Sequence, residues 1–243
     1  MAVTPRWKRI LLKVSGEAFS GSSGRAIDGE CVQALAHEIA DAKALGVEIA
    51  VVNGGGNILR GAEANIRGIG RTTADYMGML ATVVNALALQ DILESLGVDT
   101  NVLSAIEMPT VAEPYIRRRC VRHLEKGHIV ILAGGSGHPF FSTDTTAALR
   151  GTEIGAQVLL KGTKVDGVYD KDPKKSADAV RYARVSFEEV YARRLKVMDR
   201  TAITLCQENR LPIVVFDMGV KGNLVRLIQG EELGTHVGMD AEV

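Results

Sequence analysis

The stretch Val51-Val52-Asn53-Gly54-Gly55-Gly56-Asn57 carries the most information about the fold of this chain. It indicates a buried strand over residues 47–53 that runs directly into three consecutive glycines. Glycine allows positive φ and close approach of an anion, and free amides at a helix start carry partial positive charge. A strand that ends in this way is typical of a phosphate-binding turn, although the same glycines also suit an ordinary tight turn.

A second turn of this kind follows the first predicted strand. Lys13-Val14-Ser15-Gly16 closes an aliphatic run that begins near Arg9. Two such strand ends in one sheet can hold the two ends of a phosphate chain. Lys13 could be a strand lysine whose stem lies along apolar surface, but the Ser-Gly that follows favours a phosphate ligand. No carboxylate partner for Lys13 is evident in the sequence.

The order strand, glycine turn, helix recurs along the chain and predicts the fold class. We expect a mostly parallel central sheet between two layers of helices, a three-layer α/β/α sandwich. The domain spans residues 1–243, and a change of character near Lys161 divides it into lobes 1–160 and 161–243. Strands are expected at residues 9–15, 47–53, 101–104, 127–133, 157–161, 212–216 and 235–237, and helices at 30–45, 72–96, 115–126, 144–155, 186–193, 199–209 and 221–229.

The composition bounds the partners and the compartment. Lys plus Arg and Asp plus Glu both number 29, so no bulk charge draws the chain to nucleic acid or to a membrane surface. We find no apolar stretch that approaches the ~20 residues of a bilayer span. The cysteines Cys31, Cys120 and Cys206 are widely spaced, which favours buried, reduced thiols. We therefore expect a cytoplasmic protein with no nucleic-acid or membrane partner.

Phosphoryl transfer is the chemistry that the remaining residues suit best. The sequence has no G-x-x-x-x-G-K-[ST], no G-x-G-x-x-G between strand and helix, and no H-E-x-x-H. It places lysines, aspartates and glycines at strand ends, which is the inventory that phosphoryl transfer requires. Lys161 ends a strand as Lys13 does. Asp144 and Asp199 stand at helix starts, where each suits either an N-cap or a site carboxylate.

A series of motifs along the whole chain resembles the bacterial uridylate (UMP) kinases of the amino-acid-kinase superfamily. The Lys-x-Ser-Gly and Gly-Gly-Gly-Asn elements are shared across the superfamily, whereas Asp75–Thr82 and Pro139–Asp144 are more specific to the UMP kinases. In chain order the matching stretches are Lys13–Ala18, Val51–Asn57, Asp75–Thr82, Pro139–Asp144, Lys161–Tyr169, Asp172-Pro173 and Lys196–Asp199.

This resemblance implies ATP-dependent phosphorylation of UMP to UDP, with Mg²⁺ accompanying ATP and no metal ligand assigned in the protein. It implies a catalytic set in which the aspartates orient the lysines: Lys13, Lys161, Asp144 and Asp199. The implied ATP-binding residues are Lys13, Val14, Ser15, Gly16, Gly56, Arg60, Thr163, Tyr169 and Asp172. The implied UMP-binding residues are Gly55, Asp75, Ser136, Gly137, His138, Pro139, Phe140, Phe141, Ser142 and Thr143.

The resemblance also implies a homohexamer, activation by GTP and inhibition by UTP. His138 stands where many members have Asn in the nucleobase loop, and positions of effector-binding arginines in some members read Gln90, Asn101 and Glu125. Two interpretations of the predicted basic helix 115–126 are therefore open. It carries a different set of effector-binding residues, or it is simply a basic face exposed to solvent. That candidate set is Arg118, Arg122 and His123, of which Arg118 and Arg122 lie four residues apart and share a helix face.

Two other functions are open to a chain with these motifs. One is a superfamily kinase that phosphorylates a carboxylate or a carbamate, against which Asp75 and the Pro-Phe-Phe-Ser-Thr loop argue. The other is a non-catalytic nucleotide-binding protein on the same fold. The joint presence of two strand-end lysines and two aspartates argues against the second.

Overall fold

The computed structural model describes residues 4–21, 25–59, 68–173, 175–176 and 178–240. The strands are β1 (Arg9–Val14), β2 (Glu48–Asn53), β3 (Thr100–Ser104), β4 (Glu113–Pro114), β5 (Ile129–Ala133), β6 (Val158–Thr163), β7 (Arg184–Ser186), β8 (Ile213–Asp217) and β9 (Thr235–Gly238). The helices are α1 (Gly29–Lys43), α2 (Arg71–Ser95), α3 (Arg117–Glu125), α4 (Thr143–Ile154), α5 (Phe187–Ala192), α6 (Arg200–Glu208) and α7 (Asn223–Ile228), with a 3₁₀ turn at Gly16–Phe19.

These strands form one sheet in the order β4-β3-β5-β2-β1-β6-β8-β9-β7. Its pairings are parallel except for β8 with β9. One face is packed with side chains of α1, α2 and α7, and the other with side chains of α3, α4, α5 and α6. The predicted three-layer α/β/α sandwich is therefore confirmed.

The central strand β1 shows why the sheet is covered on both faces. Ile10 and Leu12 point into the layer of α1, α2 and α7, whereas Leu11 points into the opposite layer. All three are fully buried. A strand with apolar residues on both faces has to lie inside such a sandwich, because either face left in water would lose its hydrophobic stabilisation.

The register of the sheet brings distant motifs to one edge. Val14 at the end of β1 pairs with Asn53 at the end of β2, and Lys13 pairs with Lys161 of β6. Because parallel strands end at the same edge, the turns after β1, β2 and β5 open side by side. In sheets of this kind, ligands bind outside the carboxyl ends of the strands.

The long helix α2 was predicted at residues 72–96 and runs over Arg71–Ser95. By length and composition alone it is apolar enough to cross a membrane, so the expectation of no such stretch was wrong. Its buried residues, which include Val83, Ala86 and Leu89, pack in the hydrophobic layer beside β2 and β5. The helix therefore packs as a core helix of the domain does.

Some short elements were not predicted from the sequence. The two-residue strand β4 and the three-residue strand β7 carry too few residues for a periodic pattern. The proposed division between residues 160 and 161 falls within β6, which pairs with β1 on one side and β8 on the other. One sheet thus runs through both proposed lobes.

The cysteines have the predicted reduced character. All three are free, with Cys120 and Cys206 buried and Cys31 half-buried. Burial raises the pKa of both Cys120 and Cys206 to about 12. Since the thiolate is the reactive form, these two side chains act as core residues.

Candidate active site

Two strand-end lysines converge on one carboxylate. Lys13 and Lys161 are neighbours across β1 and β6, and their side chains are only 11% and 14% exposed. The Lys13 ammonium lies 2.9 Å from Asp144 Oδ1, and the Lys161 ammonium lies 2.8 Å from Asp144 Oδ2. Lys161 also donates to the carbonyl of Val197 at 2.6 Å. Asp144 is therefore a carboxylate partner of Lys13 that the strand-end motif did not make evident.

Asp144 is held in place by the start of α4. Ser142 caps this helix by accepting a hydrogen bond from the Thr145 amide at 3.0 Å, and Asp144 lies in the first turn. Burial pushes the pKa of the Asp144 carboxyl upward, but the two ammonium charges outweigh burial and leave that pKa below its usual value. Burial lowers the pKa of the Lys161 ammonium, against the opposing effect of Asp144. Asp144 thus forms an ion pair with each of the two lysines.

Asp199 lies at the start of α6, beside the first turn of α4. It is the N-cap of α6 and accepts from the Ala202 amide at 3.0 Å. It also accepts hydrogen bonds from the hydroxyls of Thr145, at 2.9 Å, and Ser142. Within the described ranges it forms no ion pair with a lysine, but its charge acts to raise the pKa of Lys161. Its hydrogen bonds fix the start of α4 relative to α6.

The two glycine turns touch each other, which explains why they need glycine. A Cβ on Gly16 would lie 2.6 Å from Asn57 Oδ1 and 2.8 Å from the Gly56 amide. A Cβ on Gly55 would lie 2.7 Å from the carbonyl of Gly78 on α2. Contacts this short with backbone leave no room for a side chain. The turns after β1 and β2 therefore form one continuous backbone surface at the edge of the sheet.

A cavity of about 740 Å³ opens over this surface. Its walls bring together motifs that lie far apart in the sequence: the strand-end lysine, both glycine turns, the start of α2 and the loop before α4. Of the residues named from the sequence, it is lined by Lys13, Ser15, Gly16, Gly55, Gly56, Asp75, His138, Phe140, Phe141, Ser142, Thr143 and Asp199. A cavity of this size accommodates a nucleotide.

Asp75 connects α2 to the loop before α4. Its carboxylate accepts two hydrogen bonds from Arg71 Nε, each 2.9 Å long, and one from the Phe140 amide at 2.8 Å. Phe140 has φ of 71°, and the residues Phe140 and Phe141 are 68% and 53% exposed. Positive φ at an aromatic residue is uncommon and marks a conformation that the surroundings enforce. The loop therefore presents two aromatic faces to solvent beside the cavity.

Not every residue of that loop lines the cavity. The Ser136 hydroxyl accepts from the His138 amide at 3.2 Å and donates to the His138 carbonyl at 3.1 Å, which closes a local turn. Ser136, Gly137 and Pro139 belong to the loop but do not line the cavity as Gly135 and His138 do. Thr82, which the sequence reasoning missed, accepts from the Gly134 amide at 2.8 Å.

The remaining candidates for ATP lie beyond this cavity. Val14 is buried in β1, and Arg60 lies outside the described residues. The Thr163 hydroxyl donates to the carbonyl of Val165 at 2.6 Å at the end of β6. Further along the chain, Tyr169 donates to Asp166 at 2.6 Å, and Asp172 is exposed near Lys175. A second cavity, of about 420 Å³, reaches Lys161 and Asp144 between α5 and α6 and shares Asp199 and Arg200 with the first.

The candidate effector residues are not equivalent. Arg118 and Arg122 are exposed on α3. His123 is mostly buried, lies 3.2 Å from Glu113 Oε1, and stacks on His128 with ring centroids 5.6 Å apart. His123 thus belongs to a polar cluster beneath α3, whereas the two arginines face solvent.

Comparison with known proteins defines the class to which this site belongs. Residues 8–217 match the Amino acid kinase family. Together with a relative of 38% identity over 97% of the chain, this match shows that the chain belongs to the amino acid kinase family.

Within that family the chain is similar to solved UMP kinases. The UMP kinase from Bacillus anthracis is 38% identical, with 97% of each chain covered and a TM-score of 0.94. The UMP kinase from Ureaplasma parvum is 36% identical over 96% of this chain and 99% of its own, with a TM-score of 0.90. The uridylate kinase from Archaeoglobus fulgidus is 27% identical over 94% of this chain and 99% of its own, with a TM-score of 0.73. The resemblance read from the motifs is thereby confirmed.

Proposed function

We propose that this chain is a UMP kinase, which transfers the γ-phosphoryl group of ATP to UMP and releases UDP and ADP. The observation that carries the proposal is the cavity that combines Lys13 and the two glycine turns with Asp75 and the exposed Phe140–Phe141 loop. The first group suits phosphates, and the second suits a nucleoside. The similarity to bacterial UMP kinases over nearly the whole chain supports the same function.

The proposed acceptor site lies in the larger cavity. The Gly55 amide holds the UMP phosphate, Asp75 accepts hydrogen bonds from the ribose hydroxyls, and the loop 136–143 surrounds uracil and ribose. Asp75 is already anchored by Arg71 and the Phe140 amide, so its carboxylate is oriented before UMP binds. The exposed aromatic rings of the loop offer flat faces on which a planar base can stack.

The proposed donor site lies on the other side of the lysines. Ser15, Gly16 and Gly56 hold ATP phosphates together with Lys13 and Arg60, while Thr163, Tyr169 and Asp172 hold the adenosine from the segment after β6. A cavity of about 520 Å³ lined by Val14, Ser15 and Thr163 supports approach of ATP from that side. The 161–243 portion of the chain thus contributes most of the nucleoside half of the ATP site.

The chemistry requires positioning and positive charge more than a base. A UMP phosphate oxygen forms the new bond to the γ-phosphorus while the bond from that phosphorus to the β,γ-bridging oxygen breaks in line, so the electron pair leaves with ADP. No strong base is needed, because a phosphate monoester is already largely ionised at neutral pH (second pKa about 6). Lys13 and Lys161 stabilise charge on the transferring group, and one Asp144 carboxylate leaves part of their positive charge available to phosphate.

Magnesium enters this scheme with ATP. Across the described ranges no three His, Cys, Asp or Glu side chains are grouped to hold a metal ion. Asp144 is engaged by two lysines and Asp199 by two hydroxyls and an amide, a donor set that fits an ion bound chiefly through substrate phosphates. When bound, Mg²⁺ neutralises phosphate charge.

An association of several copies completes the proposal, with a homohexamer as the expected form. Tyr76, Leu80 and Val84 lie one turn apart on α2 and are 42%, 47% and 48% exposed. An apolar stripe of this kind is typical of a surface covered by another subunit. We further propose a cytoplasmic enzyme of pyrimidine nucleotide biosynthesis, with GTP as activator and UTP as inhibitor. Sedimentation of the purified protein tests the assembly.

A coupled assay of ADP release tests the function. The purified protein is supplied with Mg-ATP and, in separate reactions, UMP, CMP, aspartate or acetylglutamate. The proposal predicts rapid ADP release with UMP and far less with the others. Preference for aspartate or acetylglutamate would indicate a carboxylate kinase, and no turnover with any acceptor, together with measurable ATP binding, would indicate a non-catalytic nucleotide-binding protein.

A further inference from the structure

The glycine turn after β2 is held from behind by a polar side chain in the core. Asn85 lies in the apolar helix α2 and is fully buried. Its Nδ2 donates to the Gly54 carbonyl at 2.8 Å and to Asn57 Oδ1 at 2.7 Å. Its Oδ1 accepts from Asn57 Nδ2 at 3.0 Å. The two amide groups thus pair reciprocally, and all three of these Asn85 hydrogen bonds go to the turn.

A buried amide in this position is costly unless every bond is made. Transfer of an amide from water into an apolar layer without partners costs roughly 2–7 kcal/mol. An apolar residue at position 85 would fill the core without that cost. The retained amide therefore suggests a purpose that packing alone does not serve, and its partners indicate what that purpose is.

The turn that Asn85 holds has little intrinsic rigidity of its own. Three successive glycines lose more backbone freedom on ordering than any other residues do. Packing limits the turn on two sides, because a Cβ on Gly54 would lie 3.0 Å from the Gly16 amide and one on Gly55 would lie 2.7 Å from the Gly78 carbonyl. Packing does not set the rotation of the peptide planes. The bond from Asn85 to the Gly54 carbonyl fixes the first of those planes directly.

We propose that Asn85 is a positioning residue for phosphoryl transfer, whose side-chain amide orients the Gly54–Asn57 turn so that its backbone amides point at phosphate before substrate binds. The inference rests on the proposed function, since it assigns the amides of Gly55 and Gly56 to the phosphates of UMP and ATP. Preorganised amides stabilise charge without reorganisation during the reaction, whereas a turn that must first be ordered loses part of that stabilisation. We call the paired amides of Asn85 and Asn57, with their bond to the Gly54 carbonyl, the brace. Asn57 extends it by donating to the Ala26 carbonyl at 2.6 Å.

Two substitutions test the brace from its two sides. Asn85→Asp keeps the shape of the side chain but replaces the two donated hydrogens by lone pairs that face the Gly54 carbonyl and Asn57 Oδ1. Asn57→Ala removes the partner amide from a half-buried position, where folding is less at risk. The matched control is Thr100→Val, which removes a buried hydroxyl that donates to the Val98 carbonyl at 2.9 Å at the far end of β3.

The measurements are kcat and KM for both substrates, the melting temperature, and the Kd for Mg-ATP by titration calorimetry. We expect both brace variants to lose roughly 10- to 100-fold in kcat/KM, as small misplacements of binding groups do. We also expect them to bind Mg-ATP more weakly, while Thr100→Val lowers the melting temperature but keeps wild-type kinetics. Brace variants with wild-type kcat/KM and Kd, or with losses that the control shares, would overturn the inference.

The binding measurement separates this inference from the proposed function. If the wild-type protein does not phosphorylate UMP, the proposed function fails, whatever the variants do. The brace is then judged by the Kd for Mg-ATP alone. Weaker binding in Asn85→Asp and Asn57→Ala but not in Thr100→Val supports the brace, and equal binding in all four proteins overturns it.

Discussion

Lys13 and Lys161 are register partners in neighbouring parallel strands, and their ammonium groups lie 2.9 and 2.8 Å from the two oxygens of one carboxylate, Asp144. This geometry sets two cations side by side at the edge of the sheet where the glycine turns open. Because the three side chains are mostly buried, their charges are poorly screened by water.

Removal of one of these two cations should lower the rate of phosphoryl transfer. We expect Lys13→Ala to lower kcat by ~10²–10³, the typical loss for one preorganised charge contact to a transition state. The matched control is Lys8→Ala, which removes a lysine whose side chain is 80% exposed just before β1. Steady-state kinetics of both variants check the prediction, and near wild-type turnover of Lys13→Ala would remove this lysine from the site.

Asp144 should make stability depend on pH in a defined direction. Its pKa in the folded chain lies below the unfolded value of 3.8, so the ionised carboxylate stabilises the fold above about pH 4, and this contribution is lost as pH falls through the folded pKa. We expect Asp144→Asn to cost about 3–5 kcal/mol at pH 7, because two mostly buried ammonium groups lose their counter-charge.

The free energy of unfolding from urea titrations at pH 7, 5 and 3 checks this prediction. The gap between wild type and Asp144→Asn should be the same at pH 7 and 5 and should narrow at pH 3. A gap that stays constant down to pH 3 would mean that the Asp144 carboxylate does not provide the stabilisation.

Asp75 should contribute mainly to the binding of UMP. We expect Asp75→Asn to raise KM for UMP far more than KM for ATP, because the proposed ribose contact belongs to the acceptor alone. The comparison variant Asp91→Asn changes an exposed acid on the same helix. If Asp75→Asn affects both substrates equally, or only lowers the melting temperature, then Asp75 is a structural link between Arg71 and the Phe140 amide.

Gly16 should tolerate no side chain. A Cβ there would lie 2.6 Å from Asn57 Oδ1 and 2.8 Å from the Gly56 amide, so Gly16→Ala has to push the two turns apart. We expect a stability loss of roughly 1–3 kcal/mol and a large rise in KM for ATP. Gly29→Ala is the control, because a Cβ at that helical position meets no atom within 4 Å. Wild-type ATP kinetics in Gly16→Ala would mean that the contact of the turns is not needed.

Regulation by GTP can be tested on α3. The exposed side chains of Arg118 and Arg122 lie one helical turn apart and together suit a polyphosphate. We expect the double variant Arg118→Ala/Arg122→Ala to lose GTP binding and activation while keeping basal turnover, as measured by calorimetry and by activity. Equal GTP binding and response in wild type and variant would show that the effector site lies elsewhere.

The sequence predicted the layers of the fold and the strand-end motifs because aliphatic runs and glycines reveal them locally. It could not reveal that Lys13 and Lys161 share Asp144, since that contact depends on the pairing of strands far apart in the chain. The same limit applies to Asp199, whose hydrogen-bond partners are set by how α4 packs on α6. For Asn85 and Thr82 the sequence offers one signal, which is that they are polar residues within an apolar helix.

The most direct test of the central claim is to follow the label from [γ-³²P]ATP in the presence of UMP. We predict that the label appears in the β-phosphate of UDP, with one ADP formed per UDP, and that the same reaction with Lys13→Ala gives little labelled UDP. Label that is found only as inorganic phosphate, or that is transferred to UMP no faster than to CMP or aspartate, would contradict the assignment of this chain as a UMP kinase.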